Sequence, residues 1–107
     1  MTRCEFVREG ERITGFSIAG HSGYAEAGSD IICAAISAAT AMAETTINEV
    51  CGGKAKVRVK EADARVTLTL PNSCDEEDTI QAVLAGFMLY LIDLRDQYPD
   101  FIEVLEV

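Results

Sequence analysis

The chain has 107 residues, 49% of them apolar, with two prolines, four cysteines and one histidine. That supports one compact core and is too little for two, so residues 1–107 read as a single domain. The formal charge of −9, from 18 acids against 9 bases, argues against direct nucleic-acid binding, which needs a basic stripe to displace counterions. The same balance disfavours docking on anionic lipid and makes a basic protein segment the more natural partner.

The N-terminus, Met-Thr-Arg-Cys-Glu-Phe-Val-Arg-Glu, holds no apolar stretch of signal-peptide length. Residues 3–8 and 12–19 read as two strands around the turn Glu9-Gly10-Glu11. In the second strand Ile13 has the opposite parity to Phe16 and Ile18, and Gly15 between them predicts a bulge. Residues 20–29 carry three glycines without a hydrophobic period and read as a loop. Asp30 is a favourable cap for a helix that runs to Val50 and is stopped by Gly52-Gly53. Ile32, Ile36, Ala39, Ala43, Ile47 and Val50 recur at helical spacing, and alanines on the other faces predict packing on more than one side. The apolar run from Ile31 to Ala43 is broken by Ser37 and Thr40 and is too short to cross a bilayer. The expectation is a cytosolic protein with reduced thiols.

From Lys54 to Leu70, Val57 and Val59 alternate with Lys56, Arg58 and Lys60, and Val66, Leu68 and Leu70 with Arg65, Thr67 and Thr69. With the polar turn Glu61-Ala62-Asp63-Ala64 this predicts an antiparallel hairpin whose wet face holds the main basic cluster. Ser73 and Glu76 have the spacing of a capping box, and Asp75 to Asp78 place acids at the positive end of a helix dipole. Ile80, Leu84, Phe87, Leu91 and Leu94 form that helix's apolar stripe, Pro99 ends it, and Phe101 to Val107 reads as a last strand. The order ββαββαβ defines an α+β domain, two helices on one side of a mostly antiparallel sheet.

Cys33 is the candidate nucleophile. With Asp30 as cap it falls at the third helical position, where the positive helix end favours a thiolate. His21, the one imidazole in the chain, lies across a glycine-rich loop that allows it to fold back to the thiol. Cys plus His is the pairing for nucleophilic acyl transfer, the imidazole taking the thiol proton and later protonating the leaving amine. Other readings stand beside this one. A cysteine in Ile-Ile-Cys-Ala-Ala also suits a core position, which would leave a non-catalytic module binding a basic protein. Asp30 either caps the helix or also orients the imidazole. Ser37, one turn after Cys33, either supports the thiol or bonds back to its helix. Cys4, Cys51 and Cys74 lack a charged-partner signature and read as structural. No CxxC spacing accompanies the lone histidine, so neither a metal site nor a cofactor is expected.

The segment Gly20-His21-Ser22-Gly23-Tyr24-Ala25-Glu26-Ala27-Gly28-Ser29-Asp30-Ile31-Ile32-Cys33-Ala34-Ala35-Ile36-Ser37 resembles the signature of the ribosomal-processing cysteine protease family, Prp. That signature is a Gly-His pair, a glycine-containing loop, then D-I-[IV]-C-A and a following serine. The resemblance covers the whole chain and implies a catalytic dyad of His21 and Cys33. It implies a homodimer and a substrate loop, with Gly20, Ser22, Gly23 and Gly28, that rearranges around bound peptide. The implied substrate is the N-terminal extension of the twenty-seventh protein of the large ribosomal subunit, cut after paired aromatic residues during ribosome assembly.

Overall fold

The computed structural model describes residues 1–20 and 29–107, the side chains of Ser29 and Asp30 excepted. Its elements are β1 (Thr2–Glu9), β2 (Arg12–Ala19), α1 (Ser29–Thr45), β3 (Lys56–Lys60), β4 (Arg65–Thr69), α2 (Glu77–Gln97) and β5 (Ile102–Glu106). The predicted order ββαββαβ is the order observed. One five-stranded sheet runs β3-β4-β2-β1-β5. All pairings are antiparallel except β1 with β5, where Thr2 stands opposite Ile102 and Cys4 opposite Val104.

The bulge predicted at Gly15 forms beside it. Val7 pairs with Gly15 and Arg8 with Ile13, so Thr14 is the extra residue. The slip brings Ile13 to the same face as Phe16 and Ile18, and all three are buried. Gly15 is needed for closeness: a Cβ there would strike the carbonyl oxygen of Leu68 on the neighbouring β4. At the turn between β1 and β2, Gly10 supplies the positive φ of 62° that a two-residue connection requires.

Both helices cover one face of the sheet. Phe87 of α2 meets Phe6 of β1 and Phe16 of β2 edge-on, with ring centroids 5.6 and 4.9 Å apart. Ile80, Leu84, Leu91 and Leu94, the predicted stripe, are buried around this cluster, as are Ile32, Ile36, Ala43 and Ile47 of the first helical segment. Each such aliphatic or aromatic side chain contributes about 1.5–3 kcal/mol of hydrophobic stabilisation. Polar clasps fix the layers in register. The Gln81 amide accepts from the Ile13 N–H and donates to its carbonyl, both at 2.8 Å, which locks α2 to β2. Asn48 bonds both backbone groups of Ala55 in the same manner, at 2.8 and 3.0 Å.

Two boundaries differ from expectation. The first helix does not stay α-helical to Val50; from Thr46 to Val50 it widens into a π turn. That turn hands its end to Gly53, whose N–H donates to the Ile47 carbonyl at 2.8 Å. A Cβ at Gly53 would lie 2.9 Å from Ile47 and Ile80, so only glycine lets the chain pass there. The segment Ile31–Val50 is thereby 20 residues long with a mean hydropathy of 1.3, enough by length and composition to cross a membrane, although its inner face belongs to the core.

The Ser73–Glu76 capping box does not form. The chain makes a turn at residues 75–76, α2 begins at Glu77, and no side chain caps it. The competing interaction is tertiary: Arg12 of β2 donates to the Glu77 carboxylate and, at 2.8 Å, to the Pro71 carbonyl. Glu77 and Asp78 still occupy the first turn, so the expected complement to the helix dipole is kept.

Candidate active site

The early part of α1 lies across the sheet near the ends of β1 and β2. Ile32 and Ile36, four residues apart on one helix face, are buried against the sheet and set the rotation of the helix. Cys33, the next residue round, is half-buried and borders a groove of about 310 Å³. Ser37, one turn further along, is exposed on the same wall. Opposite stand Ile18, Val59 and Val66, side chains of β2 and of the β3–β4 hairpin. The groove is apolar along the sheet and polar along the helix, which suits an extended peptide with apolar side chains.

Gly20 closes one end of this groove. Its N–H is shared between the carbonyls of Asp63 and Ala64, at 3.3 and 3.2 Å, so the end of β2 is tied to the hairpin tip. Its φ is 88°, and a Cβ would lie 2.8 Å from the Met1 carbonyl oxygen. Thr2 also lines the groove; its hydroxyl, 3% of the residue being exposed, has no hydrogen-bond partner among the described residues.

Helical torsions extend back to Ser29, which makes Cys33 the fifth residue of α1 rather than the third. The thiol therefore sits one turn in from the positive helix end, where the dipole is weaker than at the terminus. Asp30 is the second residue of the helix, and its side chain lies outside the described residues, as do His21, Ser22, Gly23 and Gly28. Of the residues singled out in the sequence, the structure brings Cys33, Ser37 and Gly20 to one groove.

The other thiols stand elsewhere. Cys4 is fully buried, and burial pushes its thiol up to about 12, which keeps it protonated and inert. Cys74 corrects an expectation, for it has charged neighbours. Its sulfur lies 3.9 Å from the Arg12 guanidinium and 3.9 Å from the Gly53 carbonyl. Its pKa is raised nonetheless, by burial first and then by the bond and charge of Glu77. Arg12 is more than sixty residues upstream, so only the fold reveals this contact. The groove walls Val59 and Val66 were likewise missed. Their alternation marked them as inward-facing, but placing them opposite Cys33 required the strand order.

A half-buried thiol on a helix, bordering a groove over a sheet, is placed as a nucleophile beside a cleft would be. The family model described as cysteine protease Prp matches residues 1–103: the chain belongs to this family and is a cysteine protease. No curated protein matches the sequence. Among solved structures, SMU.848 from Streptococcus mutans superposes with a TM-score of 0.90 at 21% identity, over 100% of this chain and 94% of that one. The essential ribosomal processing protease Prp from S. aureus, in complex with a substrate peptide, does so with a TM-score of 0.88 at 18% identity, over 100% of both chains. At these identities the likeness shows a shared fold.

Proposed function

We propose that the protein is an endopeptidase of ribosome assembly that removes the N-terminal extension of the twenty-seventh protein of the large ribosomal subunit. The observation that carries this reading is the position of Cys33 on the groove, in a chain of the Prp family. In the reaction, His21 takes the Cys33 proton and the thiolate attacks the scissile carbonyl carbon. The tetrahedral intermediate collapses to a thioester as His21 protonates the departing amine. Water, deprotonated by His21, then hydrolyses the thioester and returns the thiol. Backbone N–H groups at the start of α1 stabilise the oxyanion, and Asp30, which lies inside the first turn of that helix rather than at its cap, orients the imidazole. The S. aureus structure with a substrate peptide supports a peptide substrate, and the apolar walls Ile18, Val59 and Val66 facing Cys33 suit aromatic side chains.

The same reading places the enzyme in the cytosol as a homodimer. Support for a dimer comes from the outer surface of the helices, where Ile31, Met42, Val50 and Leu89 are each more than 60% exposed. There α1 and α2 flank an open apolar groove of about 550 Å³ over Phe87, and a second copy would cover it.

The test is cleavage of a peptide spanning the extension of the host's own ribosomal protein, with products identified by mass spectrometry. One cut after the aromatic pair, lost in Cys33→Ser and in His21→Ala, is expected. A folded wild type that leaves the peptide intact would remove the substrate assignment. Retained cleavage in either variant would remove the dyad.

A further inference from the structure

Charge along this chain is strongly segregated. Residues 54–65 hold five bases and two acids, whereas the rest of the chain holds four bases and sixteen acids. The fold gathers the basic segment on the face of the sheet that carries no helix. Lys56, Arg58 and Lys60 of the edge strand β3 stand in register with Thr69, Thr67 and Arg65 of β4, and Ser17 of β2 continues the Arg58–Thr67 row. Alternate side chains along a strand are about 7 Å apart and neighbouring strands about 4.8 Å, so four cations and three hydroxyls share a flat patch.

Ion pairing separates Lys54, Lys56 and Arg58 from the other bases, including the remaining two of the patch. Arg3, Arg8, Arg12 and Arg95 each meet a carboxylate, and Lys60 and Arg65 share Asp63. Lys56, Arg58 and the adjacent Lys54 have no ion-pair partner among the described residues, although acids outnumber bases twofold. Three neighbouring cations left without a carboxylate in so acidic a chain are available to an external anion.

We propose that this face binds the phosphate backbone of a nucleic-acid duplex without reading its sequence. Lysine, arginine and the hydroxyls of serine and threonine are the groups that contact phosphates. Arg65 is already held in place, donating to Ser17 at 2.6 Å. The face of β3 and β4 carries no aromatic side chain on which a single strand would stack, and no apolar side chain that would enter a lipid surface. The overall charge that argues against nucleic acid averages over both sides of the sheet. On this face the nearest acids are Asp63, held by Lys60 and Arg65, and Glu5, one strand beyond Ser17 and paired with Arg3. The acidic start of α2 lies on the helix side, and with a Debye length of about 8 Å in physiological salt the near cations dominate. The inner side of the same hairpin walls the Cys33 groove through Val59 and Val66, so a bound duplex leaves that groove open. The proposal holds whether or not the groove cleaves the substrate assigned above.

The experiment is fluorescence anisotropy with labelled RNA and DNA duplexes of about 20 base pairs, titrated with the whole protein from about 50 to 200 mM salt. Binding of at least one duplex is expected, with log K falling against log salt at a slope of about −3, as for three or four neutralised phosphates. In Lys56→Gln/Arg58→Gln that slope should shrink by about 2, while Arg3→Gln, on β1 and paired with Glu5, leaves it unchanged. Circular dichroism melts establish that both variants are folded. RNA-only binding would support the proposal with added recognition of the A-form backbone, and equal binding of both duplexes would support charge alone. No binding of either duplex at low salt, an unchanged slope in the double variant, or capture by anionic vesicles but not by duplexes would overturn it.

Discussion

Arg12 on β2 donates to the carboxylate of Glu77, the first residue of α2, and so joins sheet and helix across sixty-five positions of sequence. The bond displaces the local capping box. It also holds the Glu77 carboxyl below the usual carboxylate range, the Arg12 hydrogen bond being the main cause.

A carboxyl with a lowered folded-state pKa stabilises the fold above its unfolded value, about 4.3, and loses that contribution as pH falls through the folded value. Glu77→Gln should therefore lower Tm at pH 7 by about 5 °C, corresponding to about 1 kcal/mol for a partly exposed pair. At about pH 3, below the unfolded value, the gap between the two melting curves should be smaller than at pH 7. A gap of the same size at both pH values, in thermal melts followed by circular dichroism, would show that the charge contributes nothing.

Thiol chemistry should rank the cysteines. Cys33 is half-exposed at the groove, whereas Cys4 is buried with its pKa raised to about 12. Iodoacetamide at neutral pH should label Cys33 first, ending proteolysis, while Cys4 is labelled only after unfolding. Cys74→Ser should keep activity. Peptide mapping that found Cys74 or Cys4 modified before Cys33, with activity lost in step, would reverse the assignment.

Two glycines should respond to alanine with opposite signs. Gly15→Ala drives a methyl group into the Leu68 carbonyl, and overpacking of this kind against backbone costs about 3 kcal/mol. Gly86 lies within α2 with nothing within 4 Å of an added Cβ, and Gly86→Ala should stabilise by about 0.8 kcal/mol. Urea unfolding measures both; a stable Gly15→Ala protein would contradict the register of β2 on β4.

Val59 is 68% exposed although it faces the groove. Val59→Lys should raise KM for peptide cleavage several-fold, with kcat and Tm little changed, because it removes apolar contact with substrate and nothing from the core. An equal loss in kcat would place Val59 nearer the reacting atoms than the groove geometry does.

Periodicity made most of the fold legible. The stripe Ile80, Leu84, Phe87, Leu91 and Leu94 and the bulge at Gly15 follow from spacing, because spacing alone decides which side chains share a face. The π turn at Thr46–Val50 was not legible, since it answers to the backbone that Gly53 must meet. The α2 start was misplaced because Ser73 and Glu76 satisfy a local rule that a distant arginine overrides. For the site, motif spacing singled out Cys33 and Ser37, while the walls at Val59 and Val66 depend on which strands are neighbours.

The parallel pairing of β5 with β1 has a consequence for the protein's own birth. Strand β1 starts the sheet, yet Ile102, buried at 1% exposure, and the bond from the Thr2 N–H to the Phe101 carbonyl come from the far end of the chain. Closing so long a loop is the slow, entropically costly step of such a topology. Thr2 lies in the wall of the Cys33 groove, so that wall is fixed only when β5 docks. A nascent chain still lacking β5 should be inactive and readily digested by an added protease, and pulse labelling of stalled chains can show whether activity arrives only with that strand. A peptidase assembled in this order has no finished groove wall until β5 has been made and docked.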